Sequence, residues 1–513
     1  MKEHWADQTA DALMGKTNAI ATGTSISGVP HLGNANDVIR GSVIDKILKQ
    51  RGVKSELIWI SDNMDPLRKT PENIKQYKEY LGYPYSDIPD FEGCHKTFAE
   101  HYEEMLLKQL SKLGVEPTVM KAREMYKKGL YNESIKTAFE KRNEIIEIMN
   151  RFRETPLPAN WQPYTAICEK CGKIGTTNVT GYDGEWIYYE CSDKTISESE
   201  MKGCGFKGKT KISDGNGKLA WRIEWPARWQ FLKITCEPFG KEHAAAGGSW
   251  DTGKLISEKI FNYPPPEPVI YEHFQIKGGK MSKSKGNTIT VDDWLEVMPK
   301  ETLMFFLVSG DINTSKNIDL KEITPLLMEN FYKCEKTFYE GEGEEREKYV
   351  RIYELSVEKP PAKLPIQLSY GFASLIAQVA LTEEQRTKIL KRTGHYEEEQ
   401  KEKLLKIIEL AGNWVKKYQP EQQTINFTPG ILNEEEKKIV ENFIQAYKKM
   451  DLKEACSAAT ENGTTNTQLF QAIYKAIFNK TKGPRLTSLE EALSKEELIK
   501  KIENARPSQK PWP

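Results

Sequence analysis

Net charge is missing from this sequence: Lys+Arg and Asp+Glu number 74 each over 513 residues. The overall balance therefore gives no sign of a nucleic-acid partner, and any basic surface must be local. Long apolar runs are missing too. Leu303 to Val308 is among the longest, far short of the roughly 20 residues that span a bilayer. Met1 to Lys16 is polar and lacks an apolar signal core. A cytoplasmic protein without a membrane partner is expected. Cysteine is scarce, eight in all, which excludes a disulfide scaffold. Histidine is scarcer still, at seven.

What is present is an alternation of short apolar runs and helical stripes. Asn18 to Thr22 is apolar, and a Gly/Ser-rich turn follows. A helix is expected from about Gly33 to Gln50, with Val43, Ile44, Ile47 and Leu48 as its apolar stripe. Leu57 to Ser61 reads as a second buried strand, so the chain opens as a parallel α/β sheet. Leu106 to Asn150 reads as mostly helical, and Pro156, Pro158 and Pro163 break that pattern. Residues 165–212 collect cysteines, glycines and aromatics, the composition of a small β-rich metal module. Phe231 to Cys236 and Val269 to Phe274 read as strands again, so the sheet is interrupted by an insertion and then resumes. Beyond about residue 312 the pattern is helical: Leu404, Ile408, Ala411 and Val415 repeat at helical spacing. Gly341 to Lys348 is highly charged and reads as a solvated loop.

Two motifs carry phosphate chemistry. Residues 22–34 read TGTSISGVPHLGN, between a strand and a helix. Gly23 and Gly28 permit tight turns. Gly33 leaves space for an adenine ring or ribose, and His31 and Asn34 can donate to phosphate oxygens beside a helix N-terminus. Residues 278–287 read GGKMSKSKGN. Lys280 and Lys283 can reach one anion from a single turn, and Ser282 and Ser284 add hydroxyl donors. An exposed basic loop is the usual fate of such a run, but that does not explain the first motif 249 residues earlier.

Two further sets suggest tetrahedral metal. Asp90, Cys94, His95 and His101 fall within twelve residues; the alternative is a charged helix start with ordinary surface histidines. Cys168 and Cys171 form a Cys-x-x-Cys knuckle followed by Cys191 and Cys204. The alternatives there are a redox pair or unpaired core thiols. Four protein ligands leave no open position, so either ion would be structural.

Together the HLGN and KMSKS segments resemble the signatures of class I aminoacyl-tRNA synthetases. The blocks WRIEWPARW (221–229), EPFGKEH (237–243), AAAGGSWDTG (244–253), SDNMDPLRK (61–69) and GPRL (483–486) resemble the class I lysyl-tRNA synthetases. Ile26 departs from a position where that family commonly has proline. The resemblance implies an α/β fold: a Rossmann-type parallel-sheet catalytic domain with a zinc-binding insertion, followed by an all-α C-terminal domain. Expected boundaries are 1–89 and 221–312 for the catalytic halves, 90–220 for the insertion and 313–513 for helical stem-contact and anticodon-binding parts. It implies ATP, Mg²⁺ and Zn²⁺, with L-lysine and tRNA-Lys as partners and a monomeric state. His31, Asn34, Lys280 and Lys283 are the expected catalytic residues. Gly23, Gly33, Ser282 and Ser284 would contact ATP. Gly23, Ser25, Trp225, His243 and Tyr271 would form the lysine pocket.

Which carboxylate faces the ammonium is left open among Asp62, Asp65, Glu237, Glu242 and Asp251. Lys475, Lys480, Lys482 and Arg485 are candidates for RNA backbone contacts. A glutamyl enzyme on the same scaffold, with Arg222 or Arg228 in the pocket, and a non-catalytic tRNA-binding paralogue are the competing readings.

Overall fold

The computed structural model describes residues 4–70, 75–196, 199–276, 279–280, 288–420, 424–461 and 463–507. It divides into two compact units, residues 1–292 with 307–318, and residues 293–306 with 319–513.

The first unit is built on a five-stranded parallel sheet. Its spatial order is Glu267–Tyr271, Cys236–Gly240, Asn18–Thr24, Ser55–Ser61, Thr118–Lys121. Asn18 pairs Ser55, Ile20 pairs Cys236, and Cys236 pairs Glu267. The chain thus winds outward from the Asn18 strand to one side, then returns to its other side at Cys236. The crevice beyond the carboxyl ends of these two central strands is where open parallel sheets bind ligands. Leu32–Gln50 is helical, as its stripe predicts, and buries Val43, Ile44, Ile47 and Leu48. Gly41 lets this helix lie close to the sheet: a Cβ there would sit 2.8 Å from Leu57 Cδ1.

The segment 90–220, expected as an insertion, gives the Thr118–Lys121 strand to this sheet before its cysteine-bearing part begins. That part carries a three-stranded antiparallel sheet of Thr177–Tyr182, Trp186–Cys191 and Lys207–Lys211.

Two local expectations need correction. Phe231 is not in a strand: the helix Trp221–Leu232 runs past it, ends on Lys233 at φ 57°, and the strand begins at Cys236. Gly341 to Lys348 is not a loop throughout, because Gly343–Ser356 is helical. Glu, Arg and Lys are good helix formers, and Ile352, Tyr353 and Leu355 bury the last turns. The second unit is helical over most of its described length. No helix among the described residues is long and apolar enough to cross a membrane.

Candidate active site and metal clusters

A cavity of about 250 Å³ opens at the sheet's switch point. Gly23 comes from the end of one central strand, and Phe239 and Gly240 from the end of the other. His31, Gly33, Asn34 and Asp37 come from the first turns of Leu32–Gln50 and its cap, and Trp221 and Trp225 from the tryptophan helix. Glu237, Glu242, His243, Tyr271 and His273 complete the wall.

Four of the five expected lysine-pocket residues therefore share one cavity: Gly23, Trp225, His243 and Tyr271. Ser25 does not line it. His31, Asn34 and Gly33 line the same cavity. Asn34 Oδ1 accepts the His31 backbone N–H at 3.1 Å, which leaves its amide N–H groups as donors. Lys283, Ser282 and Ser284 lie outside the described residues, and of Lys280 only the backbone is described, paired with Gln275. The chain just beyond them is tied to the first motif: Leu32 N–H donates to Ile289 O at 2.8 Å.

Sequence reasoning missed Asp37. Its signal was available, because His31, Asn34 and Asp37 are spaced by three along one helix start. Asp37 accepts a hydrogen bond from Tyr271 Oη. Burial, then the charges of Glu242 and Glu237, push its carboxyl well up, with Arg40 opposing. Glu237 is buried, and its two oxygens accept the indole N–H groups of Trp225 at 2.7 Å and Trp229 at 2.6 Å. Burial raises its carboxyl to about 7 despite those two bonds and the Arg228 charge. Of the other acids considered, Glu242 lines the cavity. Asp251 pairs with Lys254 at 3.3 Å, and Asp62 and Asp65 belong to an ion cluster behind the wall.

The wall holds three carboxylates, from Asp37, Glu237 and Glu242, and among its described residues no lysine or arginine. Arg222 donates instead to the carbonyls of Gly247 and Gly248 and to Thr252. Arg228 is buried against Asp62, Tyr131 and Glu224. The cavity is thus complementary to a cation.

Both metal sets converge. The Sγ atoms of Cys168, Cys171, Cys191 and Cys204 lie within 4.8 Å of one another. Cys168 to Cys204 is 3.6 Å and Cys171 to Cys191 is 3.7 Å. A tetrahedron with metal–sulfur bonds of about 2.3 Å has edges of about 3.8 Å, so this donor set fits zinc. Asp90, Cys94, His95 and His101 converge equally. Cys94 Sγ lies 3.0 Å from His95 Nδ1 and 3.1 Å from His101 Nδ1. Each ring turns its Nε2 to a carboxylate, Glu104 for His95 and Glu92, at 3.7 Å, for His101. Carboxylates behind the far nitrogens are how metal-bound histidines are oriented.

In the helical unit, an open cleft of about 810 Å³ is lined by Phe470, Tyr474, Lys453, Lys482 and Arg485, with no acid in its wall. Two of the lysines expected to touch RNA are engaged elsewhere. Lys475 pairs with Glu436 at 2.7 Å, and Lys480 donates to Thr424 O at 2.8 Å.

The cavity thus lies at the switch point of a parallel sheet, beside the turn that precedes the Leu32–Gln50 helix, where folds of this kind bind their ligands. The description "tRNA synthetases class I (K)" matches residues 3–359, and the chain belongs to that family. It is 36% identical to a lysine–tRNA ligase of Methanosphaera stadtmanae, over 98% of this chain and 99% of that one. It is 38% identical to the lysine–tRNA ligase of Methanocaldococcus jannaschii, over 97% and 99%. A solved glutamate tRNA ligase from Elizabethkingia meningosepticum CCUG26117 aligns over 95% of this chain and 99% of that one. Its TM-score of 0.42 and identity of 13% are too slight to bear on substrate.

Proposed function

We propose that the chain activates L-lysine with ATP and transfers it to the terminal adenosine of tRNA-Lys. The observation that carries this reading is the cavity wall with three acidic side chains and, among the described residues, no lysine or arginine. A glutamate side chain would face the like charges of Glu237 and Glu242 there with no lysine or arginine to pair it, which disfavours the glutamyl alternative. His31 and Gly33 are both present, which disfavours a non-catalytic paralogue.

The lysine carboxylate attacks the α-phosphate of ATP in line, and pyrophosphate leaves. The tRNA 2′-hydroxyl then attacks the carbonyl carbon of the lysyl-adenylate, forming the ester as the acyl–phosphate bond breaks and AMP leaves. Little acid–base help is needed; positioning and stabilisation of phosphate charge do the work. His31 and Asn34 stabilise the phosphates from one side, Lys280 and Lys283 from the other, with Ser282, Ser284 and Gly33 also contacting ATP. The Leu32–Ile289 backbone bond supports this pairing of distant segments. Mg²⁺ carried with ATP would share the phosphate charge. Glu237 faces the ε-ammonium, with Glu242 adding to the negative field. Zinc held by Cys168, Cys171, Cys191 and Cys204, and by Asp90, Cys94, His95 and His101, would brace the part between the catalytic halves. Residues 1–89 and 221–312 act as those halves, and 313–513 contact tRNA, with Lys482 and Arg485 at the Phe470 cleft. The protein works as a monomer in the cytoplasm.

Supplying each amino acid singly with ATP, tRNA and radiolabelled pyrophosphate tests this. Exchange with lysine alone is expected. Exchange with glutamate, or with no amino acid, overturns it.

A further inference from the structure

Behind the cavity wall lies a buried ion cluster that the proposed chemistry does not use. Asp62, Asp65 and Glu224 face Lys218 and Arg228. Lys218 Nζ is 2.7 Å from Asp65 and 2.9 Å from Glu224. Buried ion pairs often contribute no more stability than a well-packed apolar group would, so stability alone does not account for this one.

The place of Arg228 in the cluster is informative. Its guanidinium meets three other segments of the chain as well as its own helix. Nη2 donates to Asp62, just after the Ser55–Ser61 strand. Nε donates to Tyr131 Oη at 2.9 Å. The guanidinium carbon sits 5.5 Å from the Trp221 ring centroid, on the helix that carries Arg228 itself. Nη1 and Asp62 Oδ2 each lie 3.6 Å from where a Cβ on Gly23 would be. Gly23 and Trp221 are both cavity wall. A planar fork with fixed donor directions locks such elements in register in a way that a flexible ammonium does not.

We infer that Arg228 is a positioning residue of the amino-acid pocket, acting through Gly23, Trp221 and Asp62, and that it sets lysine affinity without touching lysine or ATP. This rests on the lysine reading of the cavity. Arg228 also bears on Glu237 electrostatically. Arg228 and Asp62 bear on Glu237 from behind, Asp37 (itself opposed by Arg40) from the Leu32–Gln50 helix, and Glu242, His243 and Tyr271 share its cavity wall. Arg228 is the cation among them that favours the Glu237 carboxylate, and Asp62 opposes it.

The test is steady-state aminoacylation by the full chain across pH 6 to 9, with lysine and ATP varied separately. The parent first shows whether lysine is the substrate, which judges the underlying reading by itself. Arg228→Lys is then expected to raise the KM for lysine about tenfold, leave the KM for ATP within about twofold, and move the pH midpoint of lysine kcat/KM. If Arg228→Lys fails to fold by circular dichroism, Tyr131→Phe replaces it. That variant leaves the guanidinium and its bond to Asp62 in place, and should raise the lysine KM a few-fold without moving the midpoint. Equal changes in both KM values, or no change in the lysine KM, would overturn the assignment.

Discussion

Glu237→Gln removes one charge and almost no volume. In the parent, both carboxylate oxygens accept indole bonds, from Trp225 at 2.7 Å and Trp229 at 2.6 Å. A carboxamide has one acceptor oxygen, so its NH₂ must face the other indole donor. Lysine then loses a buried partner of opposite charge. Removing one member of such a pair costs about 3–5 kcal/mol. The cavity is open to water, which favours the lower end, about 3 kcal/mol or roughly 150-fold in Kd. Isothermal titration with L-lysine at pH 8 reads this directly.

The same carboxyl sets a pH dependence, because burial raises it to about 7. The ammonium needs the ionised form, so lysine should bind about tenfold more weakly at pH 6 than on the plateau above pH 8. Glu237→Gln should flatten that profile. The sign for stability without lysine is opposite. A carboxyl raised above its unfolded value of 4.5 favours the fold when protonated. Stability should therefore decline from about pH 4.5 to pH 7 and level off above. Lysine binding by Glu237→Gln within fivefold of the parent, or a parent Kd that is flat from pH 6 to 8, would refute the reasoning.

His31→Ala should slow adenylate formation by about 10²–10³-fold while lysine Kd stays within about twofold; single-turnover kinetics and calorimetry check the split. Cys171→Ser and His101→Ala should each remove one of two bound zinc ions by elemental analysis and lower the melting temperature by about 5 °C or more. Replacing Lys482 and Arg485 together with alanine should weaken tRNA binding and reduce the slope of log K against log salt by about 1.5. Filter binding measures this, and an unchanged slope would remove the cleft from the RNA surface.

Much of the sheet was legible because its signals are local. An apolar run, a glycine turn and a stripe of Val43, Ile44, Ile47 and Leu48 specify strand, turn and helix without distant help. The strand expected from Phe231 was misplaced because apolar residues lie on both sides of the joint, Phe231 and Leu232 before it and Ile234 and Cys236 after it. Only the left-handed Lys233 marks the joint, and propensity does not announce it. The charged stretch after Gly343 became helix because its apolar residues lie further on, at Ile352 and Tyr353.

By itself, the sequence determined the chemistry that is written in rare or closely spaced residues. Two histidines beside Cys94, and a Cys-x-x-Cys with two more cysteines, name their own ligand sets. The His31–Asn34 turn was legible as the join between a strand and a helix. Tertiary structure alone decided which carboxylate lies where. Glu237 owes its raised carboxyl to burial, opposed by indole N–H groups from the Trp221–Leu232 helix, and Asp62 and Asp65 were withdrawn into the cluster around Arg228. Burial and opposing charges act through space, so a carboxylate's role depends on neighbours that no sequence interval reveals.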